Sequence, residues 1–345
     1  MQSHNTSYLL RLDSIRFIAA SMVLLFHGSV VQIAFLHSLN PFLVWIQEGH
    51  RGVNLFFALS GFLFALIAGK GQPIIYKNFI FNRFLRIFPL LIFVFLITAA
   101  INRDTWHAYQ VLGLLLIQFN LSEFQSQPTL GTSWTISTEF IFYLLFPFLH
   151  QFANRYGERY LIGLISLFII MRFLCLPLMP NELNYFFSIL GRFDVLLVGM
   201  LIGRYYLQHS KVCINYYALP LTLLLLTAYF MLLSGMPHSP AYLVLHPPFE
   251  ALLWSLLIVT TLNSKILWLS FEKLTARLGS VSYSMYLLHP FIIVNCQNLN
   301  LIENPLTNAL IVSTMIILPS SIALAFLSFH VIEKPFLDFR VRYFS

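Results

Sequence analysis

A few ionisable side chains sit inside apolar stretches of this sequence, and their spacing suits acid–base and anion-binding chemistry. Arg16 and His27 are eleven residues apart. On an α-helix that is about 1100°, three turns plus roughly 20°, so the two share a face with a rise of about 16 Å between them. His27 is therefore expected deep in the first apolar segment and Arg16 at its mouth. An imidazole titrates near working pH, which suits it to deprotonating a hydroxyl. The plain alternative is a snorkelling arginine and a histidine bonded to a neighbouring helix. Arg83 and Arg86, in FNRFLRIFP, are three apart and lie on neighbouring positions of one face. Two guanidinium forks there would grip phosphate oxygens bidentately; the alternative is an ordinary basic anchor at a membrane surface.

Further along, Ser133 and Trp134 open the stretch SWTISTEFIFY, in which Thr135, Glu139 and Tyr143 are spaced by four and form one polar stripe on an apolar rod. Glu139 could tune a histidine, bind a sugar hydroxyl, or act as a structural carboxylate. Arg192 and Asp194 are two apart and point to different sides, so each is expected to find its partner elsewhere. Glu250 follows His246-Pro247-Pro248, and His289 precedes Pro290. Prolines in a buried helix free backbone carbonyls, which is tolerated only against protein or water. For these last four ionisable residues a structural role stands beside a functional one. Ionisable groups inside a span cost several kcal/mol unless paired or facing water. His27, Glu139, Arg172, Arg192, Asp194, Glu250 and His289 are thus marked for attention.

Membrane helices are expected to carry these residues. The 345 residues are 58% hydrophobic and 10% charged, where a soluble domain carries roughly 25% charged residues. Apolar runs near 14–36, 52–68, 87–101, 134–152, 160–178, 185–207, 214–233, 241–262, 280–295 and 306–332 predict an all-α, polytopic integral membrane protein of about ten transmembrane helices. It reads as a single membrane domain over residues 1–345. The first run is long for a signal peptide and has no convincing small-residue cleavage site, so an uncleaved span is expected.

Charge sets the orientation. With both termini cytoplasmic, only Arg51 and Arg103 fall in outside loops and Arg172 and Arg192 within spans, while every other Lys and Arg is inside. That asymmetry follows the positive-inside rule, and it leaves 109–121 as a re-entrant or interfacial segment on the outer side. The net charge of +7 is therefore a topology signal, and no nucleic-acid partner is expected. Cys175, Cys213 and Cys296 are far apart and form neither a metal spacing nor a disulfide framework, so no metal is expected. Internal repeats, frequent in secondary transporters, are not evident.

Several blocks in order carry a resemblance: LDSIRFIAASMVLLFHG with its Arg16-to-His27 spacing, GVNLFFALSGFL at 52–63, RFLRIFP at 83–89, SWTISTEFIFYLLFP at 133–147, GRFDVLLVGMLIG at 191–203, LGSVSYSMYLLHPF at 278–291 and HVIEKPF at 330–336. Together the chain resembles the membrane-bound acyltransferase 3 family, the O-acyltransferases of bacterial surface polysaccharides. Asn54 departs from the pattern, standing where many members have Asp. The resemblance implies ten spans in the bacterial cytoplasmic (inner) membrane. It also implies an acyl-CoA donor, commonly acetyl-CoA, and a glycan or lipid-linked saccharide acceptor on the far side of the lipid bilayer. It further implies that His27 is the catalytic histidine and that Arg16, Arg83 and Arg86 hold the donor.

The resulting expectation is an acyltransferase with His27 and Glu139 catalytic. Ser133, Trp134, Tyr143, Arg192, Asp194, Glu250 and His289 are acceptor-side candidates. The competing expectations are a proton-coupled transporter or flippase, with His27, Glu139 and Asp194 as a relay, and a sensor or assembly subunit without chemistry.

Overall fold

The computed structural model describes residues 10–33, 40–69, 74–115, 129–178, 187–209, 217–234, 240–264 and 269–342. The described part is all-helical, with no strand. The elements are α1 (Leu10–Ile33), α2 (Leu43–Gln47), α3 (Gly52–Ala68), α4 (Tyr76–Ile101), α5 (Ala108–Leu115), α6 (Trp134–Tyr156), α7 (Glu158–Cys175), α8 (Ile189–Gln208), α9 (Ala218–Leu233), α10 (Pro240–Asn263), α11 (Leu269–Ser280), α12 (Ser282–Cys296) and α13, helical from Pro305 to Leu337.

Among the described residues, six helical stretches are long and apolar enough to cross a membrane: Gly49–Ala68, Tyr76–Ile101, Gly131–Tyr156, Glu158–Leu178, Tyr242–Asn263 and Pro305–Leu337. α8 has comparable length but carries Arg192, Asp194 and Arg204, and α12 has 15 residues. The outer faces are what hydrocarbon requires: Phe173, Leu174, Leu224, Leu327 and Met315 are all exposed. Within 109–121, residues up to Leu115 are helical in α5, and 116–121 lie outside the described residues.

In lipid, water cannot drive helices together, so close backbone approach at small residues does much of the work. α3 and α8 meet this way. A Cβ on Gly199 would stand 2.1 Å from the Ala58 carbonyl oxygen, and one on Gly61 2.0 Å from that of Leu196. α1 is pinned at its start from two sides. Arg11 donates to the carbonyls of Thr261, Leu262 and Ser264 at 3.0, 3.0 and 2.6 Å, capping the end of α10. Gly279 of α11 lets the backbone pass directly against Asp13. These contacts fix the rotation of α1, and with it the direction in which Arg16 and His27 face.

α13 is helical throughout but contains two π-helical turns, Val312–Ile317 and Phe329–Glu333. Such turns shift the register of a helix and recur at functional sites. The first puts Ser313 against Gly28, next to His27; the second brings Glu333 to Arg86.

Candidate active site

A cavity of about 480 Å³ runs between α1, α3, α4, α6, α11, α12 and α13, within the range of small-molecule sites, roughly 300–1,000 Å³. Arg16, Arg83 and Arg86 all line it, and Arg277 and Arg340 join them. Each of the three expected arginines is held differently. Arg16 is ion-paired with Asp13 one turn back on α1. Arg86 donates to Glu333 at 3.0 Å. Arg83 makes no ion pair among the described residues; its guanidinium lies over the rings of Phe64, Phe79 and Tyr143, at 5.2, 5.5 and 5.8 Å from their centroids. Aromatic faces hold a guanidinium in place while leaving its N–H edge available, so Arg83 is the cation best prepared for an incoming anion.

The polar stripe of α6 faces the same space. Thr135, Glu139 and Tyr143 all line the cavity, and one oxygen of Glu139 accepts from Ser60 Oγ at 2.8 Å and from the Tyr143 hydroxyl. Ser133 is fully buried, its hydroxyl without a partner among the described residues, and Trp134 packs edge-on against Phe57 and Phe187.

The cavity lining stops at Val53, Thr135 and Tyr286, and His27 is not part of it. His27 lies just beyond, half-buried, with Nδ1 3.2 Å from Nε2 of His289 and the two rings stacked. His289 in turn contacts the backbone carbonyl of Tyr286 through Nδ1 at 2.6 Å. Tyr286 thus links the end of the cavity to the histidine pair.

Arg192, Asp194 and Glu250 stand apart from the cavity lining. Asp194 is ion-paired with Arg172, both fully buried, and Arg192 donates to Asn54 at 2.9 Å. Each has its partner elsewhere, as the two-residue spacing required. Asn54 supplies a neutral oxygen to a buried guanidinium. Glu250 accepts from Arg51 at 3.0 Å and from Trp254 at 2.9 Å, with His246 3.2 Å away. Arg51 also meets Glu48 and Tyr242. The sequence had placed Arg51 in an outside loop; it is only 5% exposed, because a short 3₁₀ turn, Gly49–Arg51, carries it against α10.

Sequence reasoning also missed Glu333, fully buried and shared between Arg86 and Ser284. The signal was present: Glu333 is a lone carboxylate at the end of a long apolar run, within the HVIEKPF block.

Comparison with known proteins identifies the family. The family model Acyl_transf_3, described as an acyltransferase domain, matches residues 9–330. The chain is also similar to a protein named acyltransferase MdmB from Streptomyces mycarofaciens, with 30% identity over 164 residues, covering 43% of this chain and 41% of the relative. The matched region therefore spans less than half of that relative's length. No solved structure matches.

Proposed function

Because the chain belongs to the acyltransferase 3 family, we propose that it is a membrane O-acyltransferase moving an acyl group, acetyl in the simplest case, from cytoplasmic acyl-CoA to a hydroxyl of a glycan or lipid-linked saccharide. The observation that carries this reading is the single cavity in which Arg16, Arg83 and Arg86 meet Glu139 and Tyr143, ending beside the His27–His289 pair. In this reading the helices make ten crossings of the bacterial cytoplasmic membrane, both termini are cytoplasmic, and the arginines face the cytoplasm.

The chemistry follows from what a thioester needs. The donor is already activated, so the protein has to orient a hydroxyl, remove its proton and stabilise a tetrahedral oxyanion. The phosphates of coenzyme A remain with the arginines, and the long, nearly neutral pantetheine arm runs through the cavity past Tyr286. His27 takes the proton from the acceptor hydroxyl as its oxygen attacks the thioester carbonyl. Collapse of the tetrahedral intermediate breaks the carbon–sulfur bond, and the coenzyme A thiolate leaves with the proton from His27. Glu139 orients the acceptor or the thioester with Tyr143, and Ser133 and Trp134 border the acceptor side. Arg192, Asp194 and Glu250 are spent on protein partners in this reading and hold helices together.

One geometric feature weighs against proton-coupled transport. In the relay of His27, Glu139 and Asp194 that transport would use, Asp194 is fully buried in an ion pair with Arg172 and stands apart from the cavity that Glu139 lines. The test uses detergent-purified protein, which has no gradient to exploit. With acetyl-CoA and the glycan-containing lipid extract of the producing cells, free coenzyme A thiol should appear only when both are present. Thiol release independent of the extract, or none at all, contradicts the proposal.

A further inference from the structure

The two histidines and one proline fix which nitrogen of His27 carries a lone pair. Residue 290 is proline and has no N–H, so the carbonyl four residues earlier, that of Tyr286, lacks its helical donor. A buried carbonyl left this way needs a partner. Nδ1 of His289 supplies it at 2.6 Å. A carbonyl can only accept, so the proton of His289 must sit on Nδ1. A neutral imidazole holds one N–H, which makes Nε2 of His289 an acceptor. The atom facing that acceptor at 3.2 Å is Nδ1 of His27. Nδ1 of His27 is then the donor, and its lone pair is on Nε2. No side chain among the described residues bonds that Nε2, the residue is only partly buried, and the ring also meets the backbone carbonyl of Val23 one turn back.

We infer that His289 is a positioning residue that holds His27 in the Nδ1–H tautomer, aiming the basic Nε2 at the acceptor hydroxyl, and that Pro290 creates the carbonyl that locks His289 in turn. The inference rests on the acyl-transfer reading of His27 and deepens it. In many catalytic sites a carboxylate orients the histidine through its second nitrogen. Here a neutral imidazole does so, anchored on a backbone carbonyl. When His27 takes up the hydroxyl proton, its Nδ1–H bond to His289 becomes charge-assisted and strengthens as positive charge develops. Because the chain of donors ends on a carbonyl, the proton has one exit: back through Nε2 to the departing thiolate.

Two substitutions of similar polarity separate this role from packing. His289→Gln places an amide oxygen where Nε2 was, so it still accepts from His27 but leaves the Tyr286 carbonyl. His289→Asn is shorter: its amide nitrogen can serve Tyr286, but nothing reaches His27. The inference predicts that the Gln variant keeps kcat within about tenfold of wild type. The Asn variant should lose roughly 10²-fold or more of kcat, the lower end of what general-base catalysis supplies, with KM for acetyl-CoA unchanged. Thiol release with acetyl-CoA and the lipid extract gives both constants. If the order is reversed, or the two variants match in kcat, His289 serves packing or the carbonyl alone and the inference is wrong. His27→Ala, assayed alongside, separates the levels: full activity there overturns the role of His27 as the base, whereas an inactive His27→Ala with an unaffected His289→Asn overturns only the positioning role.

Discussion

Nη1 of Arg86 donates to Oε2 of Glu333 at 3.0 Å, while the other oxygen of that carboxylate accepts from Ser284. The first and last thirds of the chain are joined at the cavity by this contact. Glu333 is fully buried, and the π-helical turn it closes brings it to Arg86. A carboxylate in that position holds one guanidinium fork still without occupying all its donors, leaving others for a phosphate.

Glu333→Gln keeps the size and the acceptor for Arg86 but removes the charge. A hydrogen bond to a charged group is worth about 1.5–3 kcal/mol, so the KM for acetyl-CoA should rise roughly tenfold or more. The kcat at saturating donor should change little. Steady-state kinetics on the purified variant check this.

Arg83, seated on three aromatic rings, should not tolerate lysine. Lysine restores the charge but neither the planar fork nor its stacking. Arg83→Lys is expected to weaken coenzyme A binding nearly as much as Arg83→Ala. Titration calorimetry with coenzyme A measures it, and near wild-type affinity in the lysine variant would show that charge alone suffices.

Pro290→Ala restores an N–H that competes for the Tyr286 carbonyl now bonded to His289. One hydrogen bond of about 0.5–1.5 kcal/mol is at stake, so kcat should fall several-fold to about tenfold with donor affinity unchanged.

Gly199→Ala tests the packing rather than the chemistry. The added methyl would stand 2.1 Å from the Ala58 carbonyl, a backbone atom that cannot swing aside. Overpacking of this kind costs about 1–3 kcal/mol, which should appear as a lower melting temperature in detergent. Asp194→Ala should cost more, about 3–5 kcal/mol, because it strands the fully buried Arg172.

The outline of the fold and one end of the site were legible in the sequence. Helical spacing alone put Thr135, Glu139 and Tyr143 on one face, and the cavity has all three. It also put Arg192 and Asp194 on different sides, and their partners are Asn54 and Arg172. What spacing could not give is contact between helices distant in sequence. His27 and His289 were both conspicuous, yet nothing local says that they touch, because the packing of α1 on α12 decides it. The interior positions of Arg51 and Glu333 escape the sequence for a related reason. Both lie at the edges of apolar runs, where charge is cheap, and only a 3₁₀ turn in one case and a π turn in the other carries them into the interior.

That His27 performs the chemistry without holding the donor is the step on which the proposed reaction turns. It is tested most directly by measuring coenzyme A binding and acceptor-dependent thiol release on the same preparation of folded His27→Ala protein. Unchanged affinity for coenzyme A and a loss of at least 10²-fold in turnover are expected. Turnover close to wild type, or coenzyme A affinity lost in step with it, would contradict it.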